Sequence, residues 1–210
     1  MNKIIFIQAR SNSTRFPNKI YQPIQDKTVL EMLYQTASLV GQVAVLGTKN
    51  DRKLQRFCKK QKLHAVFPDV DEDNLMLRFD EASDHCDAFI RLTSDCPLIP
   101  KVWIEKAWNE LDSTDYVTNV SPRTVIDGFD VQGISKKAFD YYQSVVFEEE
   151  HLFFELENNC HLQEKFLQKF TMKSLLLDER IILNPFHKEN KLSLDTKEDY
   201  ERIKSYCETK

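Results

Sequence analysis

The sequence predicts an α/β fold: a mostly parallel sheet, helices on both faces and an antiparallel edge. Two observations predict it. Four short apolar runs, at 4–7, 43–48, 63–67 and 88–92, alternate with amphipathic stretches of about ten to fifteen residues. Right-handed crossovers between parallel strands then place the helices on both sides of the sheet. After residue 115 the alternation breaks, and Val131-Gln132-Gly133-Ile134, weakly alternating and partly polar, reads as an antiparallel edge strand.

The first run, Ile4-Ile5-Phe6-Ile7, is β-branched and aromatic and reads as a buried strand. It stops in Gln8-Ala9-Arg10-Ser11-Asn12-Ser13-Thr14-Arg15-Phe16-Pro17-Asn18-Lys19, which holds three cations and several small hydroxyl residues. Thr28 to Val40 reads as a helix with Thr28 as cap, Glu31 three residues later and Gly41 beyond its end. A second strand follows at Val43–Thr48, then a charged helix from Asp51 to Gln61 and a third strand at Leu63–Phe67. Asp73 or Asn74 can cap the next helix, which runs to Cys86. Ala88–Leu92 is a fourth strand ending at Thr93-Ser94-Asp95-Cys96-Pro97, and Lys101–Leu111 a helix carrying both tryptophans. Asp115–Asn119 looks like a strand. Lys136–Val146 and Glu148–Asn158 read as helices, 166–177 as a strand-like mix, and Lys197–Cys207 as a terminal helix.

Composition narrows the function. The chain has 210 residues, 41% of them apolar and 14 of them phenylalanine, enough for a core in a single domain. With 29 Lys plus Arg against 33 Asp plus Glu, its net charge of −4 does not suit a protein that coats nucleic acid. No apolar stretch is long enough to span a membrane, and the N-terminus enters a strand without a cleavable leader. Five scattered cysteines without a CxxC pair read as free thiols of a cytoplasmic protein.

Three charged residues lie just past strands: Arg10, Asp95 and Asp195. Open α/β sheets place ligand sites outside the carboxyl ends of their strands. The cations of the first loop match phosphate oxygens, and two aspartates can share magnesium with substrate phosphates and water. Together they describe a phosphoryl- or nucleotidyl-transfer site. Plainer readings stand beside this one. The loop can be a solvated basic surface, and a strand-end Asp can be a turn former or cap, as in Asp195-Thr196-Lys197-Glu198. Neither GxxxxGK[ST] nor GxGxxG occurs, and no glycine lies between Ile7 and Lys19.

Gln8-Ala9-Arg10-x-x-Ser13-x-Arg15-x-Pro17-x-Lys19 resembles the N-terminal signature of the cytidylyltransferase family that includes spore-coat polysaccharide proteins of the SpsF type. It is similar, more distantly, to the CMP-sugar synthetases that activate 3-deoxy-octulosonate and neuraminate. Further likenesses follow in order: Asn74-Leu75-x-x-Arg78-Phe79, Arg91-x-Thr93-x-Asp95-Cys96-Pro97-Leu98, Asp115-Tyr116-Val117-x-Asn119, Gly128-x-Asp130-Val131, Glu150-His151 and Leu194-Asp195-Thr196-x-Glu198-Asp199. The chain departs from the family at Asn12 and Ser94, where glycine is frequent, and at Lys197, where proline is.

The resemblance implies a three-layer, Rossmann-like nucleotidyltransferase fold in one domain, 1–210. Within it, 115–175 contributes acceptor binding and a region through which a homodimer can form. It implies CTP as substrate and Mg2+ as cofactor, with a small-molecule acceptor and neither nucleic acid nor membrane as partner. Arg10, Lys19, Asp95 and Asp195 are the implied catalytic residues, and Asp95 and Asp195 the metal pair. Arg10, Arg15 and Lys19 clamp the triphosphate with Ser13 in the same loop, and Gln8 and Arg91 help bind the nucleotide. Asn119, Asp130, Glu150 and His151 line the acceptor side, with His151 either a base or a positioning residue. The implied reaction activates a sugar acid or small phosphorylated metabolite for surface polysaccharide synthesis. Three rivals stay open: another NTP, glycosyl transfer from a sugar nucleotide, or a non-catalytic nucleotide-binding module.

Overall fold

The computed structural model describes residues 1–146, 152–176 and 191–208. Its seven-stranded sheet runs β5 (Ala65–Val66), β4 (Val43–Leu46), β1 (Lys3–Gln8), β6 (Ala88–Thr93), β8 (Gln132–Ser135), β7 (Tyr116–Thr118), β9 (Met172–Ser174). β1 is parallel to β4 and β6, and β4 to β5, as the alternating pattern predicts. β8 is antiparallel to both its neighbours. It lies between β6 and β7 rather than at the margin, because all four of its residues are buried and β7 with β9 extends the sheet beyond it. The mixed sequence at 166–177 resolves into the end of a helix and the short strand β9. β2 (Pro23–Ile24) and β3 (Lys27–Thr28) form a separate two-stranded ribbon.

Helices cover both faces. Against one face, Ile5, Ile7, Val45, Ile90 and Leu92 pack on α1 (Val29–Ser38), α2 (Arg52–Gln61) and α4 (Lys101–Glu110). Against the other, Phe6, Phe89, Tyr116 and Ile134 meet α3 (Leu75–Ser83), α5 (Lys136–Val145), α6 (Phe154–Asn158) and α7 (Cys160–Leu167). Strands buried on both faces read as continuous apolar runs, which is why 4–7 does not alternate. The second face is built of aromatic rings. Phe89 touches Phe6, Phe79, Phe139 and Phe153 with centroids 5.1–6.5 Å apart.

The caps follow the sequence. Thr28 and Glu31 form the capping box of α1, Asp51 caps α2 and Asn74 caps α3. The last helix, α8 (Lys197–Glu208), starts after Thr196, whose hydroxyl accepts from the Asp199 N–H while Asp199 accepts from the Thr196 N–H. No helix among the described residues is long and apolar enough to cross a membrane.

Candidate active site

Strand alternation decides what reaches the site. Gln8 on β1 and Arg91 on β6 have the parity of Phe6 and Phe89, so they emerge on the aromatic face at the strands' carboxyl ends. The loops that follow enclose a cavity of about 1060 Å³. Gln8, Arg10, Ser13, Arg15, Lys19, Arg91, Asp95 and Asp195, the whole set of nucleotide and metal candidates, line it.

The first loop is held without glycine. The Asp51 carboxylate accepts from the Ser11 N–H at 2.7 Å, from the Ser11 hydroxyl at 2.7 Å and from the Leu54 N–H at 2.9 Å, tying the loop to the start of α2. The Ser11 hydroxyl also lies 2.5 Å from Tyr21 Oη, a phenol that burial pushes up to about 12, in part offset by that hydrogen bond. The left-handed position falls at Asn18, φ 62°, which asparagine tolerates. Asn12 and Ser94, the two substitutions for glycine, both keep ordinary φ.

The cations of the loop do not stand free. Lys19 Nζ donates to Asp95 Oδ2 at 2.8 Å, to the Leu194 carbonyl at 2.8 Å and to Asp195 Oδ1 at 3.3 Å. Arg15 Nη2 donates to Asp195 Oδ1 at 2.9 Å, and Lys191 Nζ to Asp195 Oδ2 at 2.9 Å. Burial draws the Asp195 carboxyl upward, but Lys191, Lys19 and Arg15 outweigh it and hold it below the usual carboxylate range. Arg10 is looser, 3.6 Å from Glu72 and 3.9 Å from Asp73. The cap that competes with Asp195 for a local role is Thr196 with Asp199. Asp199 also accepts from the Asp195 N–H at 3.0 Å, so Asp195 is aimed by the cap rather than spent on it. Among the described residues no cluster of three or more acidic, His or Cys side chains is arranged to hold a metal; Asp95 and Asp195 meet at the Lys19 ammonium, while Asp71, Glu72 and Asp73 also line the cavity.

Behind Arg91 runs a polar row that the sequence reading did not single out. Arg91 Nε donates to Gln8 Oε1 at 2.9 Å and Nη1 to Gln132 Oε1 at 2.5 Å. Gln132 Nε2 donates on to Glu157 Oε1 at 2.8 Å, which also accepts from Tyr116 at 2.7 Å and Thr118 at 2.8 Å. The register Arg91–Gln132–Thr118 across β6, β8 and β7 could have revealed this row only once the pairing was known. Arg78 is a second omission: it stood in a recognised motif without a role, and it lines the cavity.

The acceptor candidates fare differently. Asn119 has no exposed surface, and its amide donates to the Phe129 carbonyl and accepts from the Val131 N–H, both at 2.8 Å. It therefore ties the two ends of the 119–131 loop together. Asp130 pairs end-on with Arg123, accepting from Nη1 at 2.7 Å and Nη2 at 3.1 Å. Glu150 and His151 lie outside the described residues.

Comparison with known proteins supplies the lineage. The chain is 27% identical over 230 residues to the spore coat polysaccharide biosynthesis protein SpsF of Bacillus subtilis (strain 168), covering 98% of this chain and 86% of that protein. The structure of a cytidylyltransferase from Leptospira borgpetersenii serovar Hardjo-bovis superposes with TM-score 0.84 at 27% identity, covering 100% of this chain and 88% of the other. CMP:2-keto-3-deoxy-manno-octonic acid synthetase complexed with CTP shares the fold, at TM-score 0.67 and 15% identity over 100% and 99% of the two chains. The sequence model of cytidylyltransferases matches from residue 4 to residue 210, so the chain belongs to the cytidylyltransferase family and has its nucleotidyltransferase fold.

Proposed function

We propose that the chain is a CTP-dependent cytidylyltransferase that activates a sugar acid or small phosphorylated metabolite for surface polysaccharide synthesis. The observation that carries this reading is the convergence of Lys19, Asp95 and Asp195 on one point of a cavity whose rim carries Arg10 and Arg15. Two carboxylates already share a cation there, the Lys19 ammonium, at 2.8 and 3.3 Å. Their hard oxygen donors, and their number, suit magnesium, which takes one or two carboxylates and completes its shell with phosphates and water. Asp95 and Asp195 would hold the ion. When bound it would supply charge neutralisation for the phosphate oxygens.

The protein's own groups do the rest. Lys19, Arg15 and Arg10 turn from their carboxylates to the β- and γ-phosphates and stabilise the charge that grows there as the Pα–O bond to the β-phosphate breaks. An acceptor oxygen attacks the α-phosphorus, loses its proton if it is a hydroxyl, and pyrophosphate leaves. The Gln8–Arg91–Gln132 row fixes one guanidinium against the nucleotide, so little reorganisation is needed at the moment of reaction. The five scattered cysteines, with no CxxC spacing, suit a reducing, cytoplasmic setting, and the 115–175 region remains our candidate for a homodimer contact.

Pyrophosphate release measured with each of the four NTPs over a panel of sugar acids and phosphorylated metabolites tests the proposal. Release with CTP alone is expected, together with loss of at least about a hundredfold in kcat for Asp95→Asn. CTP binding without release on any acceptor, or undiminished turnover by Asp95→Asn, defeats it.

A further inference from the structure

Arg78, in the first turn of α3, is 1% exposed, and its Nε and Nη1 have no hydrogen-bond partner. Buried polar groups are nearly always paired, and a buried charge without a partner costs several kcal/mol. Two other buried cations show the usual pairing. Lys3, also buried, donates to the Trp108 carbonyl at 2.6 Å and to Asp112 at 2.9 Å. Arg91, in the same cavity wall, has Gln8, Gln132 and, behind them, Glu157. Arg78 has only distant charges, Glu72 and Asp73 in its favour and Arg91 and Arg10 against it. Glu72 and Asp73 are in turn engaged by Arg10, at 3.6 and 3.9 Å.

We propose that Arg78 is the base of an anion subsite in the cavity wall, completed when a phosphate or carboxylate oxygen of a bound substrate reaches its guanidinium. The assignment of that oxygen to a nucleotide or an acceptor rests on the cytidylyltransferase reading; the subsite itself does not. Guanidinium groups match phosphate and carboxylate geometry, and Arg10 and Arg91 line the same cavity. Burial lowers the Arg78 pKa to about 10, which leaves the side chain cationic at neutral pH and still in need of a counter-charge. Arg10 is the mobile partner. Its contacts to Glu72 and Asp73 are long, so it can offer the same anion a second guanidinium.

Arg78→Met separates this role from a structural one, because it removes a buried, unpaired charge while keeping the volume of the side chain. The expected result has two parts. The urea midpoint of the variant equals or exceeds that of the native chain, and its calorimetric affinity for an anion falls at least tenfold. Pyrophosphate and MgCTP are titrated into the free protein, and inorganic phosphate into protein saturated with MgCTP. Weaker binding of the first two assigns the subsite to the nucleotide; weaker binding of phosphate alone assigns it to the acceptor. Equal affinities of native and variant protein in all three titrations overturn the proposal, as does a native chain that binds none of the probes. Native protein that binds pyrophosphate through Arg78 but never releases it from CTP leaves the subsite standing and sinks the proposed reaction instead.

Discussion

Glu157 is the residue whose removal the structure prices most clearly. One carboxylate oxygen accepts three hydrogen bonds, from Tyr116, Thr118 and Gln132, at 2.7, 2.8 and 2.8 Å. Two of the donors are wholly buried and the third is 4% exposed, so none can turn to water. Glu157→Leu leaves all three unsatisfied. At a little over about 1 kcal/mol for each buried donor, the cost is about 4 kcal/mol. Glu157→Gln can set its carbonyl oxygen where that one oxygen stood and keep all three bonds, but each loses its charged acceptor, for about 2 kcal/mol. With a urea dependence of about 2.5 kcal/mol per molar, the unfolding midpoints fall by about 1.6 M and about 0.8 M respectively. Equilibrium unfolding followed by far-UV circular dichroism reads both. Midpoints within about 0.3 M of the native value for Leu, or a Gln variant as damaged as Leu, would refute the three-donor account. The same substitution loosens Gln132, whose amide is oriented by donating to Glu157 and accepting from Arg91, so nucleotide affinity is expected to fall with stability.

Three further outcomes follow from contacts around Asp195. Burial pulls the Asp199 carboxyl up, but the N–H groups of Asp195 and Thr196 and the Arg202 guanidinium outweigh it and set it at about 2, below its ordinary 3.8. A depressed folded pKa means the contribution, about 2 kcal/mol, is present above the unfolded value and fades as pH falls from about 4 to about 2. Denaturation of native and Asp199→Asn protein at a series of pH values should show a gap that is constant near neutrality and narrows across that window. Gly128 has φ 106°, and a Cβ there would lie 2.4 Å from the Leu192 carbonyl carbon and the Ser193 nitrogen; Gly128→Ala should cost about 3 kcal/mol in thermal unfolding and displace the segment that delivers Asp195. Lys19→Ala removes the ammonium shared by Asp95 and Asp195, so Mn2+ affinity of the nucleotide-free protein, read by electron paramagnetic resonance, should rise about tenfold while MgCTP affinity falls. A drop in Mn2+ affinity would contradict a shared cation position.

What the sequence disclosed and what it hid divide along contact distance. Strands β1, β4 and β6 carry their own signal, because their central residues are covered on both faces and form short apolar runs. The caps at Thr28, Asp51 and Asn74 were equally local, each side chain reaching an N–H three residues on. The placement of β8 was not local: four buried residues that include Gln132 and Ser135 look like an edge until β7 and β9 are known to cover the far side. The structural contacts of Asn119 are distant in the same way. A polar residue at a strand end resembles a ligand-binding group, and only the fold of 119–131 shows its amide closing a turn. Arg78 is the converse, since its i, i+1 neighbour Phe79 lies in the core while its own guanidinium lies unpaired in the cavity wall.

The pairing of Lys19 and Arg15 with aspartates also balances the charges gathered in the cavity. Left alone, Asp95 and Asp195 would repel each other, and the loop cations would likewise lack partners. Paired, Asp195 meets Arg15, Lys19 and Lys191, and Asp95 meets Lys19. Removing one member of a partly buried pair is costly, but exchanging partners is not, provided each group gains as it loses. On the proposed reading, a triphosphate with its divalent ion offers that exchange: anions to the lysine and arginines, a cation to the aspartates. Either component alone offers half of it. The divalent ion by itself would have to displace Lys19 with nothing to receive the ammonium, and free triphosphate would draw Lys19 and Arg15 away and leave the two carboxylates facing further negative charge. Binding of the two components should therefore be strongly cooperative in the native chain. The cooperativity should collapse in Lys19→Ala, where the divalent ion no longer has an ammonium to displace.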